Sequence, residues 1–272
     1  MLWIVLACFG SALIMSLLAP LVLTIGRWQL LHPRTALTAW FGALFTGVAL
    51  VLAGLAISVI GAVSAPDYVG GTESLLLTVV AWLGLGVFGA VATMVSVSSE
   101  PIVEARREAL KVLAPVARSR EARQGFTLVR FDSDEAVAFA VPGRRPEMFI
   151  SSAVEDLLSQ AQLSAVLAHE YAHLRHHHGW ALRIAAANAF CLGRLRPGRA
   201  LHRATKLLVE LAADDAAARQ AGAANLANAL TLLAESDGDA GMRLRATRLT
   251  SKRWPSASRR RLPKAIAATI LP

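Results

Sequence analysis

Between residues 1 and 99 the chain carries only four charged side chains, Arg27, Arg34, Asp67 and Glu73. So long a stretch with so few charges constrains the fold more than any other feature. It divides into three apolar runs, at about 2–25, 36–63 and 75–97. Each exceeds the roughly 20 residues that a helix needs to cross a hydrocarbon core of about 30 Å. The first run lacks a basic leading segment and is too long for a signal core, so it reads as an uncleaved anchor. The loop holding Arg27 and Arg34 is basic, whereas the loop holding Asp67 and Glu73 has no basic residue. Positive charge favours the cytoplasmic side, which predicts an outside N-terminus and a cytoplasmic remainder.

The rest of the 272-residue chain holds all of the net charge of +9, because the four charges of the first part cancel. The expected organisation is a transmembrane region at 1–99, a water-facing domain at 100–235 and a basic tail at 236–272. Cys8 and Cys191 both sit in apolar stretches. Two such residues make no disulfide framework and read as small buried hydrophobes.

Gly84, Gly86 and Gly89 spell a GxGxxG pattern. A dinucleotide fingerprint follows a strand and opens a helix in a βαβ unit. This one lies inside the third apolar run, where small residues instead let helices approach closely. Residues 104–124 read as a charged amphipathic helix. Residues 126–131, 136–141 and 147–151 read as short strands, with a turn at Pro142 to Pro146. Ser151 or Ser152 caps a helix starting near Ala153, and a further helix runs from about Ala161 to Gly179.

That further helix contains His169-Glu170-Tyr171-Ala172-His173. Residues four apart share a helix face, so both imidazoles can bind one metal ion, and zinc is the expected cofactor at one ion per chain. Glu170 is one step around the helix and flanks the ion without binding it, as a general base must. Surface histidine pairs are common, but Val166, Leu167 and Leu174 place this helix in a core, where two unpaired imidazoles would be costly. A third ligand is required. Glu210, after Leu207-Leu208-Val209, is the candidate, and Asp214 one turn later shares its face and can fix the tautomer of a liganding histidine. His176, His177 and His178 read as a polar helix end, where cationic side chains meet the helix dipole; the alternative places one of them, His178 before the others, in the active-site wall. His32 and His202 read as incidental.

These stretches, in order, resemble a known family. Ala138 to Pro146, Ile150 to Ser152, Ala165 to Glu170, Leu174 to His178 and Glu210 to Asp215 are similar to the integral-membrane peptidases related to the β-lactam-sensing antirepressors, the M-fifty-six peptidase family. The resemblance covers about 126–220. It implies a mostly α fold, with transmembrane helices before an α+β zincin-like (gluzincin) domain that has a small sheet. It implies His169, His173 and Glu210 as ligands, Glu170 as base, and a membrane sensor that cuts a cytoplasmic repressor. Housekeeping membrane peptidases that resemble heat-shock and CAAX-processing enzymes share much of this site. Residues 181–192 are too short for a fourth span and are interrupted by Arg183, so no β-lactam ligand carries over.

The expected function is therefore a membrane-anchored zinc endopeptidase acting on a protein or peptide. The alternatives are membrane-protein quality control and a non-catalytic scaffold. Intact Glu170 argues against the scaffold, which needs no base. A peptide substrate could extend the sheet by pairing with the edge near 136–141. After Asp239 nine basic residues and no acidic one remain. The expected partner of that tail is the lipid bilayer with its anionic headgroups, since each Lys or Arg near such a surface gains about 1 kcal/mol. No recognition fold accompanies it that would suit nucleic acid.

Overall fold

The computed structural model describes residues 2–64, 75–76, 78–86, 89, 117–192 and 196–254. The chain divides into two compact units, Met1–Val103 with Arg183–Leu208, and Glu104–Leu182 with Val209–Pro272. The fold is mostly helical, with one small mixed sheet.

In the first unit, α1 (Leu2–Leu23), the short α2 (Trp28–Leu31) and α3 (Pro33–Ser64) match the first two apolar runs. Both α1 and α3 are long and apolar enough to cross a membrane. Their outer faces carry exposed Leu13, Ile14, Leu17, Phe45, Leu52 and Ile60, an apolar surface that water would not favour. The helices pack closely at Gly54, where a Cβ would stand 3.2 Å from that of Cys8. Of the third expected span, residues 75–76, 78–86 and 89 are helical and the others lie outside the described residues. Gly84 explains one glycine of the apparent fingerprint. A Cβ there would fall 1.8 Å from Leu55 on α3, so this position serves helix packing.

The second unit is built on four strands: β1 (Ala117–Arg123), β2 (Phe126–Phe131), β3 (Ala138–Val141) and β4 (Glu147–Ser151). Their order is β1-β2-β4-β3, with β2 and β4 parallel and the outer pairs antiparallel. Strand β1 corrects the helix expected at 104–124. Residues 104–116 lie outside the described set, but 117–123 pair with β2 through a tight turn in which Gly125 takes φ +97°. The alternation of half-buried and exposed residues in β1 was masked by residue types that also favour helices.

Alternation in the inner strands builds two cores. Phe126, Leu128, Met148 and Ile150 face a cluster with Val154, Val166, Leu167 and Leu233. Val129, Phe131 and Phe149 face the opposite side with Val141 and Phe139. Leu128, Met148 and Ile150 are almost wholly buried, each contributing roughly 1.5–3 kcal/mol.

Helix α4 (Ser152–Leu157) starts at the expected cap, Ser151, whose Oγ accepts from the N–H of Val154 at 3.4 Å. Helix α5 (Gln160–Arg175) begins with a capping box, Ser159 with Gln162. The expected continuous helix to Gly179 is broken. His177 takes φ +52°, and α6 (His178–Cys191) starts afresh. After it come α7 (Arg196–Ala221), α8 (Ala223–Asp237) and α9 (Ala240–Ser251). Ala165 and Ala168 of α5 pack with Ala217 and Ala218 of α7, Leu226 and Leu230 of α8, and Leu249 of α9. These small residues let the four helices approach closely. Helix α9 is the start of what sequence presents as a basic tail, and it is ordered by the packing of Ala246 and Leu249. Residues 255–272, including Arg259, Arg260, Arg261 and Lys264, lie outside the described residues.

Candidate metal centre

Helix α5 carries His169, Glu170 and His173, and α7 brings Glu210 to them. The Nε2 atoms of His169 and His173 lie 3.1 Å apart. Glu210 places Oε2 3.4 Å from His169 Nε2 and Oε1 3.6 Å from His173 Nε2. Among the described residues these three form the group able to hold a metal ion. Zinc donors at about 2.0–2.1 Å in a tetrahedron stand about 3.3 Å from one another. The observed spacings bracket that value, and the donor set of two imidazoles and a carboxylate suits zinc. Three protein donors leave a fourth position, the pattern of a catalytic site rather than a structural one.

The far nitrogens each stand beside a neighbour. His169 Nδ1 lies 3.0 Å from Oδ1 of Asp214, which is fully buried. His173 Nδ1 lies 3.1 Å from Nδ1 of His178. Asp214 thus stands where a supporting carboxylate was expected. His178 is buried, whereas His176 and His177 are exposed.

Sequence reasoning missed Arg245, on α9. Its Nε and Nη2 donate to the two carboxylate oxygens of Asp214 at 2.8 and 2.7 Å, and its Nη1 lies 2.9 Å from Glu210 Oε2. Its Nη2 also comes within 3.3 Å of His169 Nε2. One and two turns on, Arg248 and Lys252 each come within 2.8 Å of Asp215. The signal was available as a helical period: positions 245, 248 and 252 share a face that meets Glu210, Asp214 and Asp215 of α7.

The charges tune one another. Burial opposes ionisation of Glu210, but His169 and Arg245 outweigh it and hold the carboxyl down to about 2. Asp214 is held well below the usual carboxylate range, because Arg245 and His169 overcome its burial. Burial disfavours a charged His169, yet the carboxylates of Asp214 and Glu210 raise it to about 9. Burial also lowers His173 to about 4, helped by the positive His169. Glu170 goes the other way. Burial pushes its carboxyl up to about 7, with Glu210 adding to the rise, while His169 and a hydrogen bond from the backbone of Ala140 oppose it. Such a value suits a group that must both accept and release a proton near neutral pH.

The donor set of this site and one family comparison point the same way, to a metallopeptidase. The family model for Peptidase family M48 matches residues 103–187, just under a third of the chain, and supports a zinc metallopeptidase. The match includes the sheet and all of α5 but stops before Glu210, Asp214 and Arg245. It names a different family from the antirepressor peptidases that the motifs resemble, and the two readings coincide at the level of a gluzincin-type zinc peptidase. Comparison with curated proteins and with solved structures finds no match.

Proposed function

We propose that this chain is a membrane-anchored zinc endopeptidase with a zincin-like domain on the cytoplasmic side, cutting a regulator such as a transcriptional repressor. The convergence of His169, His173 and Glu210 beside a Glu170 carboxyl tuned to about 7 carries the catalytic reading. Helices α1 and α3 support anchorage. The ordered motifs that resemble antirepressor peptidases support the regulator, and the basic loops support the orientation.

When bound, zinc supplies a Lewis acid that polarises the peptide carbonyl and eases deprotonation of water. Glu170 takes the proton of the attacking water and passes it to the leaving amine. The backbone N–H of Ala140 donates to Glu170 and aims its carboxylate. Replacing His169 or His173 by alanine is expected to reduce zinc from one ion per chain to near zero, as read by metal analysis of the purified protein. A full complement of zinc in either variant would remove the replaced histidine from the ligand set.

Strand β3 is an edge of the sheet. Val137 exchanges hydrogen bonds with Ser151 toward β4, so by alternation Ala138 and Ala140 turn their backbone groups away from β4, the Ala140 N–H toward Glu170 and the groups of Ala138 toward the open edge. A substrate strand can pair there, next to Glu170. Proline at Ala138 removes a donor from the free edge and none from the β4 ladder. It should abolish cleavage, whereas removing the charge of Arg144 should leave cleavage intact. Unchanged peptide turnover in the proline variant would exclude edge pairing.

The role is assigned by trapping substrates in cells with Glu170→Gln. A single captured regulator means signalling, and many damaged membrane proteins mean quality control.

A further inference from the structure

The two imidazoles that face the candidate metal centre are supported in different ways. His169 leans on an anion, Asp214, at 3.0 Å. His173 leans on another imidazole, with His178 Nδ1 3.1 Å from its own Nδ1. A neutral imidazole has one N–H and one lone pair. For two Nδ1 atoms at this distance, one must donate and the other accept. If His178 donates, His173 carries its proton on Nε2, the atom that faces His169 and Glu210, and cannot bind a cation there. If His178 accepts, His173 carries its proton on Nδ1 and Nε2 is open.

The backbone goes out of its way to bring His178 to this place. Helix α5 stops at His176, and His177 takes φ +52°, a left-handed conformation that is disfavoured for a residue with a Cβ. Helix α6 then restarts at His178. The result is that His178 is 5% exposed, while its two neighbours in the triple-histidine run face solvent. The start of α6 is also the positive end of a helix dipole, which disfavours a protonated imidazole. A neutral acceptor fits that environment.

We propose that His178 is a positioning residue for the metal centre: its Nδ1 accepts the Nδ1–H of His173 and holds that ring in the tautomer whose Nε2 lone pair faces Glu210. The inference rests on the zinc reading of His169, His173 and Glu210. It makes the centre asymmetric, with a carboxylate behind one ligand and a neutral ring behind the other.

Asparagine and leucine separate this role from packing. Asn places its amide oxygen close to where the His178 Nδ1 stands, and Leu has nearly the same shape with no acceptor. The full-length chain in detergent is titrated with zinc against a chromophoric chelator, and cobalt substitution gives a ligand-field spectrum as a second readout. His178→Leu and His178→Ala should weaken zinc binding about 10–100-fold, and His178→Asn should stay within about 3-fold of the wild type, as supporting hydrogen bonds to metal ligands do. His178→Asp, which supplies a carboxylate like Asp214, should bind at least as tightly as the wild type. The cobalt spectrum should change in Leu and be restored in Asn. Equal affinity of Leu and Asn, whether both tight or both weak, overturns the proposal. A wild-type chain that binds no zinc overturns the zinc reading and this inference with it, and that arm is read before any variant.

Discussion

Glu170→Gln is expected to lower the turnover of a peptide substrate by about 10²–10⁴-fold or more, the usual contribution of a positioned general base, while zinc stays at one ion per chain. The amide is nearly the same shape as the carboxyl and can still accept the backbone N–H of Ala140. It cannot take a proton from water. Glu170 is not among the residues that cluster for a metal, which are His169, His173 and Glu210, so its replacement should leave the metal in place. Turnover within tenfold of the wild type, at full zinc content, would assign the base to another group. Loss of zinc in this variant would make Glu170 part of the ligand shell. Loss of the Glu170 carboxyl should also remove one ionisation from the activity profile.

Arg245→Met is expected to cost the metal-free protein about 3–5 kcal/mol, the range for removing one partner of a buried ion pair. For a chain of this size that corresponds to a fall in melting temperature on the order of 10 °C. Asp214 is fully buried and takes two hydrogen bonds from Arg245, and Glu210 loses its 2.9 Å contact as well. The pH dependence has a definite sign. Asp214 has a depressed pKa, so its stabilisation is present above the unfolded value of about 3.9 and is lost as pH falls through the lower folded value. The gap between wild type and variant should be full at pH 7 and should narrow below about pH 4. Zinc adds positive charge to the same place and should shrink the gap. A variant that melts with the wild type at pH 7 in the presence of chelator would show that Arg245 does not compensate these acids. Arg245→Lys should restore only part of the loss, because an ammonium cannot span both oxygens of Asp214 and Glu210 at once.

Much of this site could be read from residue spacing. Two imidazoles four apart, an acidic base between them, and an acid pair four apart on a second helix need only the helical period to be placed on two faces. The caps at Ser151 and the strands at 126–131 and 147–151 were legible for the same reason, since alternation and cap chemistry are local. What sequence concealed was nonlocal. Strand β1 carries Arg118, Arg120, Glu121 and Arg123, residue types that suit a helix, and only pairing with β2 makes it a strand. Arg245 looked like one cation among nine until α9 packed against α7. The break at His177 gave no sign either, because nothing in His176-His177-His178 marks which residue turns left-handed. The inner face of a histidine run is set by that single dihedral angle.

Helix α7 concentrates three duties in a short span. Glu210, Asp214 and Asp215 provide a ligand candidate, the carboxylate beside His169 Nδ1 and the anchor for α9 within six residues of one helix. Each added residue rotates the downstream part of a helix by about 100°. Inserting one alanine just before Glu210 would therefore turn all three acids away from α5 and α9 together, although no side chain was changed. Inserting four to the same side would nearly restore their bearing while displacing them by about 6 Å along the axis. The centre is tied to the phase of a single screw, so insertions and deletions are far less tolerable in this helix than substitutions at most of its other positions.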